Sequence, residues 1–234
     1  MFGQYVAAAK DILLPSLCFQ CEQKINEGYL CPACQEAIEY VYPPSCRACA
    51  QSIENNKTGL CANCIAGNIP YDRIISVALY KEPLVNLIHL FKYKNCDYLA
   101  GFFATLMITH LAKIGVTLAG CDLVPIPMHA SNLRERGYNQ SSLLAHALAN
   151  YFNISCKDDI IYVKEIKISQ TKLEKEQRQD NVKGIFGIQK QVENQRIIII
   201  DDIFTTGATV QEASRTLKEN GAKEITVITL AKTI

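Results

Sequence analysis

The chain has 234 residues, 49% of them hydrophobic, and its 24 Lys and Arg against 23 Asp and Glu give a formal net charge of +1. This length and apolar content allow one medium domain and a smaller one with a substantial core. The near-neutral charge excludes a global basic field that would attract nucleic acid. The unusual feature of the composition is its 11 cysteines.

The N-terminal segment, residues 1–17, predicts a short amphipathic helix that ends at Pro15. It has no basic n-region, and Lys10 and Asp11 interrupt its apolar run, so we expect no signal peptide. The longest uncharged apolar window, residues 98–112, is shorter than the roughly 20 residues that span a bilayer. We therefore expect a cytoplasmic protein with no membrane insertion.

Eight of the cysteines form four C-x-x-C pairs, all before residue 65. In a cytosolic chain paired cysteines are more often metal ligands than disulfides, and each half of this segment has the spacing that lets four thiolates surround zinc. Disulfides and an iron–sulfur cluster are the alternatives, but cluster motifs space their ligands differently. We predict two structural Zn²⁺ ions, with sequential and crossed pairing both left open. The predicted ligands are Cys18, Cys21, Cys31, Cys34, Cys46, Cys49, Cys61 and Cys64.

The region around these cysteines has no strand or helix long enough to build a core, so bound zinc must supply its stability. The other three cysteines, Cys96, Cys121 and Cys156, lie among apolar residues and are expected to be buried small hydrophobes. We therefore assign residues 1–66 to an N-terminal helix and zinc-binding module, and residues 67–234 to a second domain.

The second domain alternates predicted strands with predicted helices. Strands are predicted at residues 73–80, 121–127, 158–163, 184–188, 196–201 and 224–230, and helices at residues 84–93, 99–111, 139–152 and 207–220. This alternation predicts an α/β fold with a mostly parallel sheet and helices on both faces. Residues 164–181 are polar and charged, without an apolar period.

Two carboxylates, Asp201 and Asp202, follow the isoleucines of the predicted strand "RIIIID". The carboxyl ends of parallel strands meet at a ligand-binding crevice, and the next turn can point backbone N–H groups at a phosphate. Carboxylates beside such a cradle suit a phosphorylated sugar, with its hydroxyls or a magnesium ion nearby. A Walker-B strand is the alternative, but the chain lacks the G-x-x-x-x-G-K-[ST] motif it requires.

The stretch "IIIIDDIFTTGATV", residues 197–210, is similar to the signature loop of type I phosphoribosyltransferases, which bind 5-phosphoribosyl-1-pyrophosphate (PRPP). The resemblance implies a type I phosphoribosyltransferase-like sheet in which Asp201 and Asp202 hold the ribose hydroxyls. It also assigns the 5′-phosphate to the following turn, and we expect a larger side chain at Gly207 to crowd the phosphate without touching the core. The implied phosphate-binding residues are Thr205, Thr206, Gly207, Ala208 and Thr209.

The cysteine pairs and three further segments resemble the ComF family of competence proteins, in the order found there. They are the four C-x-x-C pairs, "LFKYK" (90–94), "VPIPMHASNLRERGYNQ" (124–140) and "QTKLEKEQRQDN" (170–181). The resemblance covers nearly the whole chain, and it implies a double zinc-ribbon module joined to a phosphoribosyltransferase domain. The family is associated with DNA uptake during natural transformation.

Further site residues follow from the same resemblance. Residues 127–131 resemble the pyrophosphate loop, which makes Met128 and His129 candidate phosphate contacts, with a role as a turn residue as the alternative for His129. Arg134 and Arg136 come next and are suited to gripping pyrophosphate, although a solvated helix start is the alternative. Residues 166–181 resemble the mobile loop that closes over PRPP, with Arg178 as its cation; a plain surface loop is the alternative. Mg²⁺ is expected to bind together with PRPP.

Two functions are compatible with these features. The first is a competence factor with a PRPP site that also binds single-stranded DNA and other DNA-processing proteins. Residues 164–190 carry seven Lys and Arg against four Asp and Glu, and aromatic residues of the zinc module are suited to stacking on bases or forming miniature cores. The alternative is a Mg²⁺-dependent phosphoribosyltransferase acting on an unidentified nucleophile, with residues 71–95 as the acceptor hood. The aromatic residues of the zinc module that could stack on bases in the first function are Phe19, Tyr29, Tyr40 and Tyr42.

Overall fold

The computed structural model describes residues 16–54, 57–164 and 183–234. The predicted N-terminal helix lies outside the described residues, apart from its last two positions, and so do residues 166–181 with Arg178. Among the residues described, no helix is both long and apolar enough to cross a membrane.

The helices and strands of the described residues follow the predicted order, with additional short helices at residues 32–36 and 130–136. They are α1 (Pro32–Glu36), β1 (Arg73–Leu79), α2 (Leu84–Tyr93), α3 (Leu99–Lys113), β2 (Asp122–Pro125), α4 (Ala130–Arg136), α5 (Gln140–Phe152), β3 (Ile161–Val163), β4 (Phe186–Ile188), β5 (Arg196–Phe204), α6 (Ala208–Glu219) and β6 (Glu224–Lys232).

A four-stranded parallel sheet forms the centre of the fold, in the order β1-β6-β5-β2. In β5 the four consecutive isoleucines are all buried, because the strand is covered on both faces. Ile198 and Ile200 belong to the core cluster that includes α2, α3 and α5, whereas Ile197 and Ile199 belong to the cluster that includes α6. This is the phosphoribosyltransferase-like α/β sheet expected from the sequence, and helices on both faces are confirmed.

Strands β3 and β4 pair with each other and not with the main sheet. They form a separate two-stranded antiparallel sheet in which Ile161 lies opposite Ile188. The close packing here depends on Gly187, since a Cβ at this position would lie 2.5 Å from the Tyr162 ring. The sheet is therefore parallel in its main part, with a small antiparallel addition beside it.

The end of β5 differs from the prediction in a way that affects the site. The strand does not stop at the aspartates but runs on to Phe204, because β6 continues alongside it and pairs Ile203 with Ala231. Asp201 lies opposite Thr229 within the ladder. The two carboxylates are therefore held by a hydrogen-bonded strand and not by a loop.

The cysteine-rich segment packs directly against this sheet. The backbone N–H of Val41 donates to the Val77 carbonyl, and that of Leu79 donates to the Glu39 carbonyl, so the segment between the two cysteine clusters pairs along β1. Tyr40 stacks on His110 of α3, with ring centroids 5.8 Å apart. The stability of β1 is therefore linked to that of the cysteine-rich segment.

Candidate functional site

The eight paired cysteines form two clusters, Cys18–Cys21–Cys31–Cys34 and Cys46–Cys49–Cys61–Cys64, with all Sγ atoms of a cluster within 4.8 Å of one another. Cys21 and Cys31 have their Sγ atoms 3.6 Å apart, and Cys49 and Cys61 have theirs 3.7 Å apart. A disulfide needs about 2.05 Å, whereas four sulfurs at about 2.3 Å from a tetrahedral zinc lie about 3.8 Å apart. The clusters are consistent with two structural zinc ions, and the pairing is sequential.

The pKa values of the cysteine thiols also favour a bound cation in each cluster. Burial opposes ionisation of the Cys18 thiol, yet backbone N–H groups, led by that of Cys31, lower its pKa to about 6. Burial and neighbouring thiols raise the pKa of Cys34 and, in the second cluster, of Cys64. Four thiolates can therefore coexist in each cluster only when a cation offsets their repulsion.

A separate cavity of about 400 Å³ lies at the carboxyl ends of β2 and β5. It combines carboxylates from β5, the loop after β2, polar residues at the start of α5 and hydroxyls of the turn after β5. Seven of the predicted site residues line this cavity: Met128, His129, Arg136, Asp201, Asp202, Thr205 and Thr209. The structure thus brings together segments that are far apart in the sequence.

The other predicted site residues that the structure describes do not line this cavity. Arg134 lines a neighbouring cavity of about 660 Å³, which shares Pro127, Met128 and His129 with the first. Thr206, Gly207 and Ala208 belong to the turn and to the start of α6 but do not line the cavity.

The two carboxylates occupy different electrostatic environments. Asp202 is 7% exposed, and its Oδ2 lies 3.0 Å from Nζ of Lys92, which reaches into the site from α2. Asp201 Oδ1 accepts hydrogen bonds from the Ser141 hydroxyl at 2.9 Å and from the Asp202 backbone N–H at 2.9 Å. Burial and the Asp202 charge raise the pKa of Asp201 to about 7, against the opposing effects of Lys92 and Ser141. The repulsion between the two carboxylates is thus relieved in two ways. Lys92 pairs with Asp202, and the raised pKa of Asp201 favours its protonated form.

Lys92 and the start of α5 were not assigned roles from the sequence. Asn139 caps α5 by accepting the Ser141 N–H, while its amide donates to the Ile126 carbonyl at 2.9 Å. This contact fixes the loop after β2 against the helix that carries Ser141. Two sequence patterns point to these residues: Lys92 lies within "LFKYK", and "NQS" stands at the start of a predicted helix. Neither pattern shows that Lys92 contacts Asp202 or that Ser141 contacts Asp201.

The turn after β5 is more constrained than the sequence indicated. Gly207 has φ +80°, and a Cβ there would lie 2.6 Å from the ring of Phe204, which is 5% exposed. The expectation that a side chain at this position would not touch the core is therefore wrong. Glycine is needed here both for its positive φ and for the close approach of the buried ring.

The cavity alone does not offer a complete magnesium site. Within the described ranges, the groups of three or more metal-ligating side chains are the two cysteine clusters and a third group, His146, Cys156 and Asp158. The cavity of about 400 Å³ supplies two carboxylates, one of them paired with Lys92. Mg²⁺ commonly binds through one or two carboxylates plus substrate phosphates, so the residues fit magnesium only together with a phosphorylated ligand.

Comparisons with known proteins match both parts of the chain. Residues 139–233 match the phosphoribosyl transferase domain family, and residues 9–65 match the double zinc ribbon domain family. Competence protein F of Haemophilus influenzae is 27% identical over 228 residues, covering 92% of this chain and 96% of its own. DNA utilization protein YhgH of Escherichia coli is 27% identical over 229 residues, covering 95% and 100%. Competence protein ComFC of Bacillus subtilis is 27% identical over 222 residues, covering 92% and 84%.

Proposed function

Because the chain belongs to the ComF family of competence proteins, with an N-terminal double zinc ribbon and a phosphoribosyltransferase domain, we propose that it binds PRPP, or a related ribose phosphate, beside Asp201 and Asp202. The observation that carries the proposal is the convergence of the β5 carboxylates, the loop after β2 and the turn after β5 on one cavity. We further propose that the protein acts in the cytoplasm in the uptake or processing of DNA, with residues 1–66 and 67–234 as its two units.

Each part of the ligand has a chemically matched partner in this arrangement. The proposed roles place the ribose hydroxyls on Asp201 and Asp202, and the 5′-phosphate on the turn of residues 205–209 and the start of α6. The pyrophosphate then lies at the loop of residues 127–131, with Arg136 and Lys92 as cations that line the same cavity. Ribose hydroxyls that donate to Asp202 would replace Lys92 as its partner and free the ammonium group for a phosphate oxygen.

Ligand binding is the direct test. Purified protein is titrated with PRPP, ribose 5-phosphate and pyrophosphate, with and without Mg²⁺, and the shift in melting temperature is recorded. We expect PRPP to stabilise the protein most, and Mg²⁺ to increase the effect because it neutralises the pyrophosphate. A melting temperature that none of the three ligands changes would contradict the proposal.

The alternative function is transfer of the phosphoribosyl group to an unidentified nucleophile. It is favoured by the second cavity of about 660 Å³, which adjoins the ligand cavity at Met128 and His129 and offers room for an acceptor. Leaving-group departure builds positive charge on the ribose, which Asp201 and Asp202 would stabilise, and negative charge on the pyrophosphate. Bound Mg²⁺ would neutralise that second charge. Release of pyrophosphate from PRPP on addition of a candidate nucleophile tests this alternative.

Single-stranded DNA binding is the second part of the proposed role. Tyr29 packs between Phe19, Tyr98 and Phe102, so it belongs to an aromatic core, while Phe19 and Tyr42 remain 37% and 39% exposed. Lys113 donates to the Tyr42 hydroxyl at 2.9 Å and lies 4.8 Å from the centre of its ring. An exposed ring beside a cation suits stacking on an unpaired base.

Charge reversal tests the DNA contact. The variant Lys172→Glu, Lys175→Glu and Arg178→Glu alters a segment outside the described residues and should weaken binding of a fluorescent single-stranded oligonucleotide, with a smaller salt dependence than the wild type. Unchanged binding would place the DNA surface elsewhere. If the wild type does not bind the oligonucleotide, the protein would reach DNA only through other competence or DNA-processing proteins.

A further inference from the structure

Three side chains with different metal-binding atoms meet outside both cysteine clusters. His146 lies on α5, and Cys156 and Asp158 lie in the segment that follows this helix. The imidazole, thiol and carboxylate ligand atoms lie within 4.8 Å of one another. Cys156, expected from the sequence to be buried, is only partly buried, so its sulfur is not simply a core atom.

We propose that His146, Cys156 and Asp158 form a third metal site that binds a zinc-class divalent cation. An imidazole, a thiolate and a carboxylate are the ligand types that zinc uses, and three protein ligands leave a fourth position for water or a ligand. The proposal does not depend on the proposed PRPP site. It predicts an exchangeable ion in addition to those of the two cysteine clusters.

The distances fit after a small movement. His146 Nε2 lies 2.6 Å from Asp158 Oδ2, and Cys156 Sγ lies 3.7 Å from the same oxygen. Nitrogen and oxygen ligands of a tetrahedral zinc lie about 3.4 Å apart, so the His146–Asp158 pair must open by less than about 1 Å. The side chains of His146 and Asp158 are 53% and 43% exposed, which leaves both free to make this adjustment.

A neighbouring hydroxyl orients the Asp158 carboxylate. The Ser142 hydroxyl donates to Asp158 Oδ1, which leaves Oδ2 directed to His146 and Cys156. Ser142 lies one turn before His146 on α5, so one helix supplies both a ligand and the group that orients another ligand. The backbone N–H of Lys157 donates to the Leu123 carbonyl, which fixes the segment between the two remaining ligands against β2.

The position of the site gives it access to the ligand region. Asp158 lines the cavity of about 660 Å³ together with His129 and Arg134. A cation held by Asp158 would therefore border the cavity that adjoins the proposed pyrophosphate loop. Its fourth coordination position would take water or an oxygen of a molecule bound there.

Zinc stoichiometry on the full chain tests the proposal. Protein is treated with a mild chelator, equilibrated with Zn²⁺ alone by dialysis, and the zinc per chain is measured. We expect the wild type to hold one more zinc than His146→Ala and Cys156→Ser. The matched controls His89→Ala and Cys121→Ser, which alter a histidine and a cysteine outside the group, should hold as much as the wild type.

Two further readouts separate a built site from adventitious binding. With the cysteine clusters already zinc-loaded, added Co²⁺ should give a sulfur-to-cobalt charge-transfer band that Cys156→Ser abolishes and Cys121→Ser retains. Ser142→Ala should weaken zinc binding about tenfold while keeping the stoichiometry. Retention of cluster zinc and of the circular dichroism spectrum shows that each variant is folded. Equal zinc in the wild type and in folded His146→Ala and Cys156→Ser variants would overturn the proposal.

Discussion

Replacement of Asp201 by Asn is expected to stabilise the protein above about pH 7. The folded protein raises the pKa of this carboxyl from 3.8 to about 7, because desolvation and the neighbouring Asp202 charge both disfavour its ionised form. Folding therefore favours its protonated form, and its contribution to the unfolding free energy is fully present below about pH 4 and is lost as pH rises through 7. An Asn side chain has no such proton to lose, and its Oδ1 can still accept the hydrogen bonds from Ser141 and from the Asp202 N–H.

The magnitude follows from the size of the shift. One pKa unit corresponds to about 1.4 kcal/mol, so a shift from 3.8 to about 7 sets an upper value of about 4 kcal/mol. Asp201 is partly exposed where it lines the cavity, and it lies near Lys92, so its charge is partly screened. We therefore expect Asp201→Asn to raise the unfolding free energy by about 1–2 kcal/mol at about pH 8.

Urea unfolding followed by circular dichroism measures this effect. Zinc-loaded wild type and Asp201→Asn are compared at about pH 6 and about pH 8, and the stability advantage of the variant should be larger at the higher pH. Asp122→Asn, at the opposite end of the sheet, serves as the matched control and should show no such pH-dependent advantage. An advantage that is absent, or equal at both pH values, would refute the assigned electrostatics of the site.

Three further outcomes follow from the contacts. Lys92→Met leaves the Asp202 carboxylate without its cation and should lower the unfolding free energy by about 2–3 kcal/mol. Lys92→Arg keeps a cation there and should retain most of the wild-type stability; equal urea midpoints for the two variants would contradict this. Gly207→Val should cost at least about 2 kcal/mol in the same assay, because a Cβ meets the Phe204 ring, while Thr205→Ala should keep the wild-type midpoint and lose only ligand affinity. Removal of zinc by a strong chelator should expose the amide of Leu79 to hydrogen exchange, since it donates to Glu39 in the cysteine-rich segment; unchanged protection would show that β1 does not depend on that segment.

The family and the main elements could be predicted from the sequence because their signals are local. The C-x-x-C spacing, the consecutive isoleucines of β5 and the 3.6-residue period of α2 each lie within a short window. The family resemblance and the α/β sheet are confirmed. The same local signals placed the carboxylates beside the turn of residues 205–209, although they did not show that β5 continues past Asp202.

What the sequence did not reveal depends on tertiary contacts. Lys92 and Asp202 lie in different elements, and only the packing of α2 against the sheet brings them within 3.0 Å. Sequential pairing of the cysteines likewise depends on how each cluster closes in space. The crowding at Gly207 comes from the buried ring of Phe204, whose orientation no sequence pattern specifies.

Calorimetric titration with PRPP tests the central claim most directly. Wild type, the double variant Asp201→Asn with Asp202→Asn, and the control Asp122→Asn are compared in the presence of Mg²⁺. Charged hydrogen bonds contribute about 1.5–3 kcal/mol each, so the double variant should bind PRPP at least about tenfold more weakly, with its fold intact, while the control binds like the wild type. Wild-type affinity for PRPP in a folded double variant would contradict the assignment of Asp201 and Asp202 as the ribose-binding residues.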